Sequence, residues 1–125
     1  MKVYVLVNGY TGDTEGVFTA AGKEAKEKEL FAAACARLHE HVVSLEADKA
    51  VYRKQAGALY AAAGCLPIEA NAEKVFGLLK EKDELLNRAR DTEREIDLIC
   101  NLVKAEVLEQ YGFGHMWQVF ELLDD

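Results

Sequence analysis

The apolar residues of this chain change their spacing near residue 23. Lys2 is followed by an unbroken apolar run to Val7, which is typical of a β-strand covered on both faces. Turn-forming residues fill positions 8–13, and residues 16–19 return as a second strand, so we expect a β-hairpin over residues 1–22. From Lys23 the composition shifts to Lys, Glu and Ala, with opposite charges at helical spacing, which marks the start of a long helix.

Two long helices are predicted on either side of Pro67, the one proline of the chain. The first, over residues 23–63, carries a large apolar residue at every seventh position: Phe31, Leu38, Leu45, Tyr52, Leu59 and, just beyond, Leu66. The second, over residues 68–111, has an apolar face from Val75 to Val107. A fold-back at residues 64–67 would turn the two faces toward each other and place Gly57 near Gly77, which would let the helices approach closely there.

A third strand is expected over residues 115–123, where the strand-favouring residues Trp117, Val119 and Phe120 lie close together. It would join the N-terminal hairpin in one sheet. The sequence therefore predicts an α+β, mostly helical fold of order ββααβ, in which a long antiparallel helical hairpin accompanies a small three-stranded antiparallel sheet. A length of 125 residues predicts a single domain over residues 1–125.

Composition narrows the possible partners. The net charge of −7 disfavours binding to DNA or RNA, because the phosphate backbone would be repelled. No apolar run approaches the roughly 18 residues needed to span a bilayer, so we expect a soluble, cytoplasmic protein with no membrane partner. The three cysteines, Cys35, Cys65 and Cys100, lack metal-ligand spacing and are an odd number, which favours buried thiols over disulfides or a zinc site.

The residues that could support catalysis are few. Ser44, the one serine, has no base or orienting acid placed beside it by the sequence. His39 and His41 lie two residues apart on a helix and point to different faces, which does not suit a shared metal ion. We therefore expect no catalytic residue, no metal, no cofactor and no enzymatic activity.

A candidate ligand site lies in the second helix, where the apolar face weakens and arginines cluster. Guanidinium and amide groups there could bind a phosphate or a purine edge, and the residues concerned are Asn87, Arg88, Arg90, Arg94 and Asn101. A solvated, salt-bridged surface would use the same residues equally well.

Aromatic residues near the predicted helix–sheet junction form a second candidate. Phe113 and Trp117, with Tyr111 beside them, could stack on a nucleotide base if a partner subunit enclosed them. Ordinary core packing would also account for these rings, so both interpretations stay open.

Apolar residues outside the predicted helix–helix contact suggest self-association. A single antiparallel partner cannot cover all of them, and they are Val43, Ala47, Ala50, Val51, Leu98, Leu102 and Leu108. A homodimer or higher oligomer that packs hairpins side by side would cover this surface and would create symmetric pockets between subunits.

The opening strand MKVYVLV, the hairpin NGYTGDTEG, the two long helices and the closing strand HMWQVFELL together resemble a family of small phage proteins, the Thoeris anti-defence sponges. The resemblance covers the layout of the whole chain and assigns no binding residue. It implies a non-enzymatic oligomer that sequesters a cyclic nucleotide signal, such as a cyclic ADP-ribose isomer, between subunits in the cytoplasm of an infected bacterium. The alternative is a protein-interaction module, such as a phage inhibitor of a bacterial defence protein or a coiled-coil adaptor.

Overall fold

The structure, a computed structural model, describes residues 1–122. Its elements are β1 (Lys2–Asn8), β2 (Thr14–Phe18), α1 (Ala20–Gly64), α2 (Ile68–Cys100), α3 (Lys104–Tyr111) and β3 (His115–Glu121). Two long helices pack together and the three strands form one antiparallel sheet, which confirms the α+β, mostly helical fold. Of the third strand expected over residues 115–123, residue 122 lies beyond β3, and residue 123 lies outside the described part of the chain.

The chain divides into two compact units. Unit 1 contains residues 1–39 and the described residues from 102 onward, and unit 2 is the continuous segment Glu40–Asn101. Unit 2 is thus inserted in the sequence of unit 1. The single domain expected over residues 1–125 stays a prediction.

The sheet of unit 1 has the strand order β2-β1-β3. Leu6 lies opposite Gly16 on β2 and opposite Trp117 on β3. Because side chains alternate along a strand, one face carries Leu6 and Trp117 while the other carries Val5 and its neighbours. Leu6 is fully buried, so the face that carries Leu6 and Trp117 is the inner one. Leu6 is also the largest fully buried side chain of unit 1.

The outer face of the sheet is open, contrary to the expectation that β1 is covered on both faces. Val17 is 63% exposed and Met116 57% exposed, and Phe120 is half exposed as well. The three valines of β1 on this face are only half-buried. The apolar run of β1 therefore correctly predicts a strand, but in the described chain only the face that carries Leu6 is covered.

The turn and the first helix boundary follow from local hydrogen bonds. The Asn8 side-chain oxygen accepts from the backbone N–H groups of Tyr10 and Thr11, which closes the turn after β1. Thr19 caps α1, since its hydroxyl accepts from the Gly22 N–H at 3.3 Å. The helix consequently begins at Ala20 rather than at residue 23.

Helix two of the sequence prediction is wrong in its extent, because residues 68–111 form two helices. At the end of α2 the Asn101 side chain donates to the Asp97 carbonyl at 2.7 Å and takes a non-helical backbone conformation. Val103 is extended, and its N–H donates to the Glu106 carboxylate at 3.3 Å, which starts α3. Asparagine at a helix end competes for backbone bonds in this way, so it ends the helix within an otherwise helical pattern.

Unit 2 is a helical hairpin with a core of small and branched residues. The buried side chains there are Ala56, Ala63, Val75, Ala89, Ile96 and Ile99. The register expected from a fold-back at residues 64–67 is wrong. Arg53 pairs with Glu93, and the Lys82 ammonium lies over the Tyr60 ring. The observed partners on α2 therefore lie about ten positions further along the chain than a register that pairs Gly57 with Gly77 would place them. Asn71, which is non-helical, lengthens the connection before α2 continues.

The close helix approach expected at Gly57 and Gly77 is also absent from the described residues. A Cβ atom built on either glycine would have no neighbour within 4 Å. The cysteine prediction is wrong for two of three thiols, since Cys65 and Cys100 are exposed and only Cys35 is partly buried. The helices within residues 1–122 include none with the length and hydrophobicity of a membrane span.

Candidate ligand-binding cleft

A cleft of about 640 Å³ lies entirely within unit 1. Its walls come from the turn after β1, one side of α1, the exposed side of α3, and the segment that leads into β3. The aromatic and basic side chains in its walls are those of Tyr10, Arg37, Lys104, Phe113, His115 and Trp117. The volume falls in the range of roughly 300–1,000 Å³ that small-molecule sites occupy.

Arg37 is the central charged group of the cleft. Its guanidinium carbon lies 3.4 Å from the centre of the Phe113 ring, so the guanidinium plane stacks on an aromatic face. Within residues 1–122, no carboxylate forms a salt bridge with Arg37. Stacking covers one face of the guanidinium and fixes its orientation while its N–H donors remain at the edge. Such an arrangement can bind a planar or anionic group without a large loss of side-chain entropy.

The position of Phe113 is set by the loop before β3. Gly114 has φ +67°, a conformation that favours glycine, and its carbonyl accepts from the Gly9 N–H at 2.8 Å. A Cβ on Gly9 would clash with that carbonyl, so a glycine is needed for this approach of the two segments. These two glycines therefore hold the loop that presents Phe113 to Arg37.

His115 and Glu15 form a pair beside the cleft. The His115 Nε2 atom lies 2.7 Å from a Glu15 carboxylate oxygen, and the Asn8 amide donates to the other oxygen at 3.2 Å. The pKa of Glu15 is held below its ordinary value of 4.5, first by the Asn8 hydrogen bond, then by the hydrogen bond and charge of His115 and by the charge of Lys26. The ring of His115 meets Phe113 edge-on at 5.8 Å, so this pair supports the stacked Arg37 and Phe113 from behind.

The charges that face the cleft are only partly balanced. Lys104 lies over the Phe31 ring at 5.2 Å and makes no salt bridge among the described residues. Of the two acidic residues in the walls, Glu27 is paired with Lys23 at 3.1 Å, which leaves Glu109 as the acid without such a partner in the described chain. The lining of the cleft therefore carries two cations and two acids, and one of the two acids is already paired.

The predicted site residues fall into two groups. Phe113 and Trp117 both line the cleft. Trp117 also packs edge-on against Phe18 at 5.6 Å and lies under the Lys23 ammonium, so the core-packing interpretation applies to it as well. The other five predicted residues belong to unit 2.

The predicted residues of α2 are spread along its exposed side. Arg88 lines a separate groove of about 490 Å³ between α1 and α2, together with Glu81 and Glu84. Arg94 lies 3.8 Å from Asp91, and Asn87 and Arg90 are exposed. Asn101 uses its amide to end α2. Within unit 2 these residues form no converging set of donors, and the groove at Arg88 carries two acids against one arginine.

Sequence reasoning missed Arg37, Lys104 and His115. Arg37 follows Leu30 by seven residues and thus continues an inward-facing stripe of α1, which is a signal that the sequence does contain. The position of Lys104 depends on the break before α3, and that of His115 depends on the register between β3 and β1. Neither could be read from periodicity alone.

Comparison of the chain with family models, with curated proteins and with solved structures gives no match in any of the three. Among residues 1–122 no group of three or more His, Cys, Asp or Glu side chains is placed to hold a metal ion.

Proposed function

We propose that this protein is a non-enzymatic binding protein that captures a nucleotide in the cleft of unit 1. The observation that carries the proposal is the Arg37 guanidinium stacked on Phe113 in a cleft of about 640 Å³, without a carboxylate partner in the described chain. A nucleotide combines a planar ring with anionic phosphate, and a stacked arginine beside aromatic rings is suited to both.

Each wall of the cleft has a role in this proposal. Arg37 and Lys104 bind the phosphate, Arg37 through paired N–H donors and Lys104 as a point charge. Tyr10, which is 80% exposed, and Phe113 supply aromatic surface for the base. His115 offers its remaining ring nitrogen, since Nε2 is engaged by Glu15.

The resemblance to the Thoeris anti-defence sponges supports a more specific version. In that version the protein is a phage-encoded homo-oligomer in the bacterial cytoplasm, and it sequesters a cyclic nucleotide such as a cyclic ADP-ribose isomer without converting it. The sponges hold such ligands between subunits, whereas the residues that line the present cleft all come from one chain. We therefore propose that one subunit supplies Arg37, Lys104 and Phe113, and that a neighbouring subunit could only add to them.

The test is isothermal titration calorimetry with a panel of cyclic nucleotides that includes cyclic ADP-ribose isomers. We expect Arg37→Ala to weaken binding by about tenfold to a hundredfold, as loss of a charge-assisted hydrogen bond would do. Arg90→Ala is the matched control, because Arg90 is exposed on α2, and we expect it to leave affinity unchanged. Equal binding by wild type and Arg37→Ala would contradict the cleft, and a chemically altered nucleotide after incubation would contradict sequestration.

The alternative, a protein-interaction module, is favoured by a different observation. Three large apolar side chains near the fold-back of unit 2 are strongly exposed, namely Tyr60 at 65%, Ile68 at 63% and Phe76 at 65%. On this alternative, a tagged protein should retain a macromolecular partner from the host, and Phe76→Ser should release it while nucleotides produce no thermal shift.

A further inference from the structure

We infer that β3 is a self-association edge, at which a second copy of this chain adds its own β3 in antiparallel orientation to make a six-stranded sheet. The inference names the surface for the self-association in the proposed function. His115 and Trp117 belong both to β3 and to the walls of the cleft, and the tests below need no cleft ligand. Its basis is the hydrogen-bonding pattern of β3, the order of its side chains, and the contrast between the two edges of the sheet.

β3 has one free side. The strand order β2-β1-β3 places it at an edge, and among residues 1–122 it pairs with β1 alone. Met1 and Leu122 exchange backbone hydrogen bonds in both directions, and Gly9 donates to Gly114. Since bonded and non-bonded pairs alternate in an antiparallel ladder, the even-numbered residues of β3 bond to β1. The N–H and C=O groups of His115, Trp117, Val119 and Glu121 therefore point outward.

The side-chain order of β3 is complementary to itself about Gln118. In an antiparallel pair centred there, His115 of one copy faces Glu121 of the other, which places a histidine beside a carboxylate. Met116 faces Phe120 on the outer face, and Trp117 faces Val119 on the inner face. Gln118 meets its symmetry mate, and two side-chain amides can bond to each other. Every pair is compatible, as an isologous interface requires.

The backbone pattern fits the same register. Centring on Gln118 makes that residue a non-hydrogen-bonded pair and makes the outward-pointing residues the bonded ones. Four outward residues on each strand would then form roughly eight backbone hydrogen bonds. A shift by one residue would remove these bonds and would place His115 opposite an apolar residue.

The opposite edge of the sheet is protected and β3 is not. β2 is five residues long, contains Gly16, and has a register shift against β1 at Leu6/Val7. Short length and irregular pairing are the usual devices that prevent an edge from binding another strand. β3 is seven residues long and pairs with β1 in unbroken register, and it contains neither proline, glycine nor lysine. Three of its five exposed side chains, Met116, Val119 and Phe120, are apolar, and the other two are Gln118 and Glu121.

The expected dimer is of modest affinity. A strand pair of seven residues buries on the order of 1,000 Å² in total, at the low end for specific interfaces, so we expect a dissociation constant in the micromolar range. An uncharged strand centre allows this contact although the chain carries a net charge of −7. A second copy is thus favoured over a strand from another protein, because the complementarity is of β3 with itself.

The first test is a cysteine cross-link. With Cys35, Cys65 and Cys100 replaced by alanine, Gln118→Cys would place two thiols at a non-hydrogen-bonded pair, with Cα atoms about 4.5 Å apart. We expect a disulfide-linked dimer under mild oxidation at about 100 μM, a concentration above the expected dissociation constant. Val17→Cys is the matched control, since Val17 is also exposed but lies on the protected edge strand β2, and this variant should remain monomeric.

The second test separates edge pairing from other contacts by sedimentation velocity. Val119→Pro removes an N–H that points outward, so it should leave the β1–β3 ladder intact and weaken dimerisation at least tenfold. Val119→Thr keeps that N–H and should dimerise as the wild type does. A concentration of about 200 μM lies well above the expected dissociation constant, so a wild-type chain that is still monomeric there overturns the proposal. So does a dimer that is unaffected by Val119→Pro and forms no Gln118→Cys cross-link.

Discussion

Leu6→Ala tests the assignment of the inner face of the sheet most directly. Leu6 has no exposed surface and lies opposite Trp117 on β3. The substitution removes three carbon atoms, each worth about 0.8 kcal/mol on burial, and leaves a cavity that adds to the cost. We therefore expect the free energy of unfolding of unit 1 to fall by about 3 kcal/mol. For a unit of this size that corresponds to a melting temperature lower by more than about 10 °C.

Trp117 is the one tryptophan of the chain and lies beside Leu6, so its fluorescence reports on unfolding of unit 1 in urea. Val17→Ala is the matched control on the outer face. Because Val17 is 63% exposed, its truncation should cost only about 0.5 kcal/mol. Equal costs for the two variants, or a cost below about 1 kcal/mol for Leu6→Ala, would refute the assignment of the two faces.

Three further predictions concern charge, register and helix propensity. Wild type should be more stable than Glu15→Gln at pH 6, and the difference in stability should disappear as the pH falls below about 4. The reason is that a carboxyl whose pKa is lowered in the folded state loses its stabilising contribution when it is protonated. Unfolding measured over an acid titration checks this. A double-mutant cycle on Arg53 and Glu93, which lie 3.4 Å apart and are about half exposed, should give a coupling of roughly 0.2–1 kcal/mol that 1 M NaCl removes. A coupling that 1 M NaCl leaves unchanged would contradict a solvent-exposed ion pair between α1 and α2. Gly57→Ala should stabilise unit 2 by about 0.5–1 kcal/mol in thermal melts followed by circular dichroism, since the added methyl meets no neighbour, and a loss of stability would indicate a close helix contact there.

The fold could be predicted from the sequence wherever a period extended over many residues. The seven-residue stripe from Phe31 to Leu66 predicts α1, because the pattern is repeated often enough to outweigh local exceptions. The third strand follows instead from the aromatic and β-branched residues around Trp117. The break between α2 and α3 depends on the hydrogen bonds of a single residue, Asn101, which the apolar pattern does not register. The pairing of α1 with α2 is equally hard to predict from the apolar pattern, because it depends on the non-helical backbone of a single residue, Asn71.

The candidate cleft was harder to predict than the fold. The sequence does predict Phe113 and Trp117, because aromatic residues near a strand are conspicuous in it. The density of arginines in residues 88–94 predicts a site there, whereas the arginine of the cleft stands alone at position 37. Its partner Phe113 is 76 positions away in the sequence, and only the pairing of β3 with β1 brings the two side chains to 3.4 Å. Long-range pairing of this kind leaves no local period.

The insertion of unit 2 bears on how unit 1 can form. β1 and β3 pair residues as far apart as Lys2 and Glu121, so the chain must close a loop of more than a hundred residues before the ladder forms. A helical hairpin forms through local contacts and therefore faster than such a ladder. Within unit 1 the Lys104 ammonium lies 5.2 Å from the centre of the Phe31 ring, so the segments on either side of the insert meet in the folded unit. An early hairpin in residues 40–101 would shorten the effective loop by about half and lower its entropic cost by about 0.6 kcal/mol. The hairpin then contributes to the cleft and to the β3 edge indirectly, because each exists only once β3 has paired with β1.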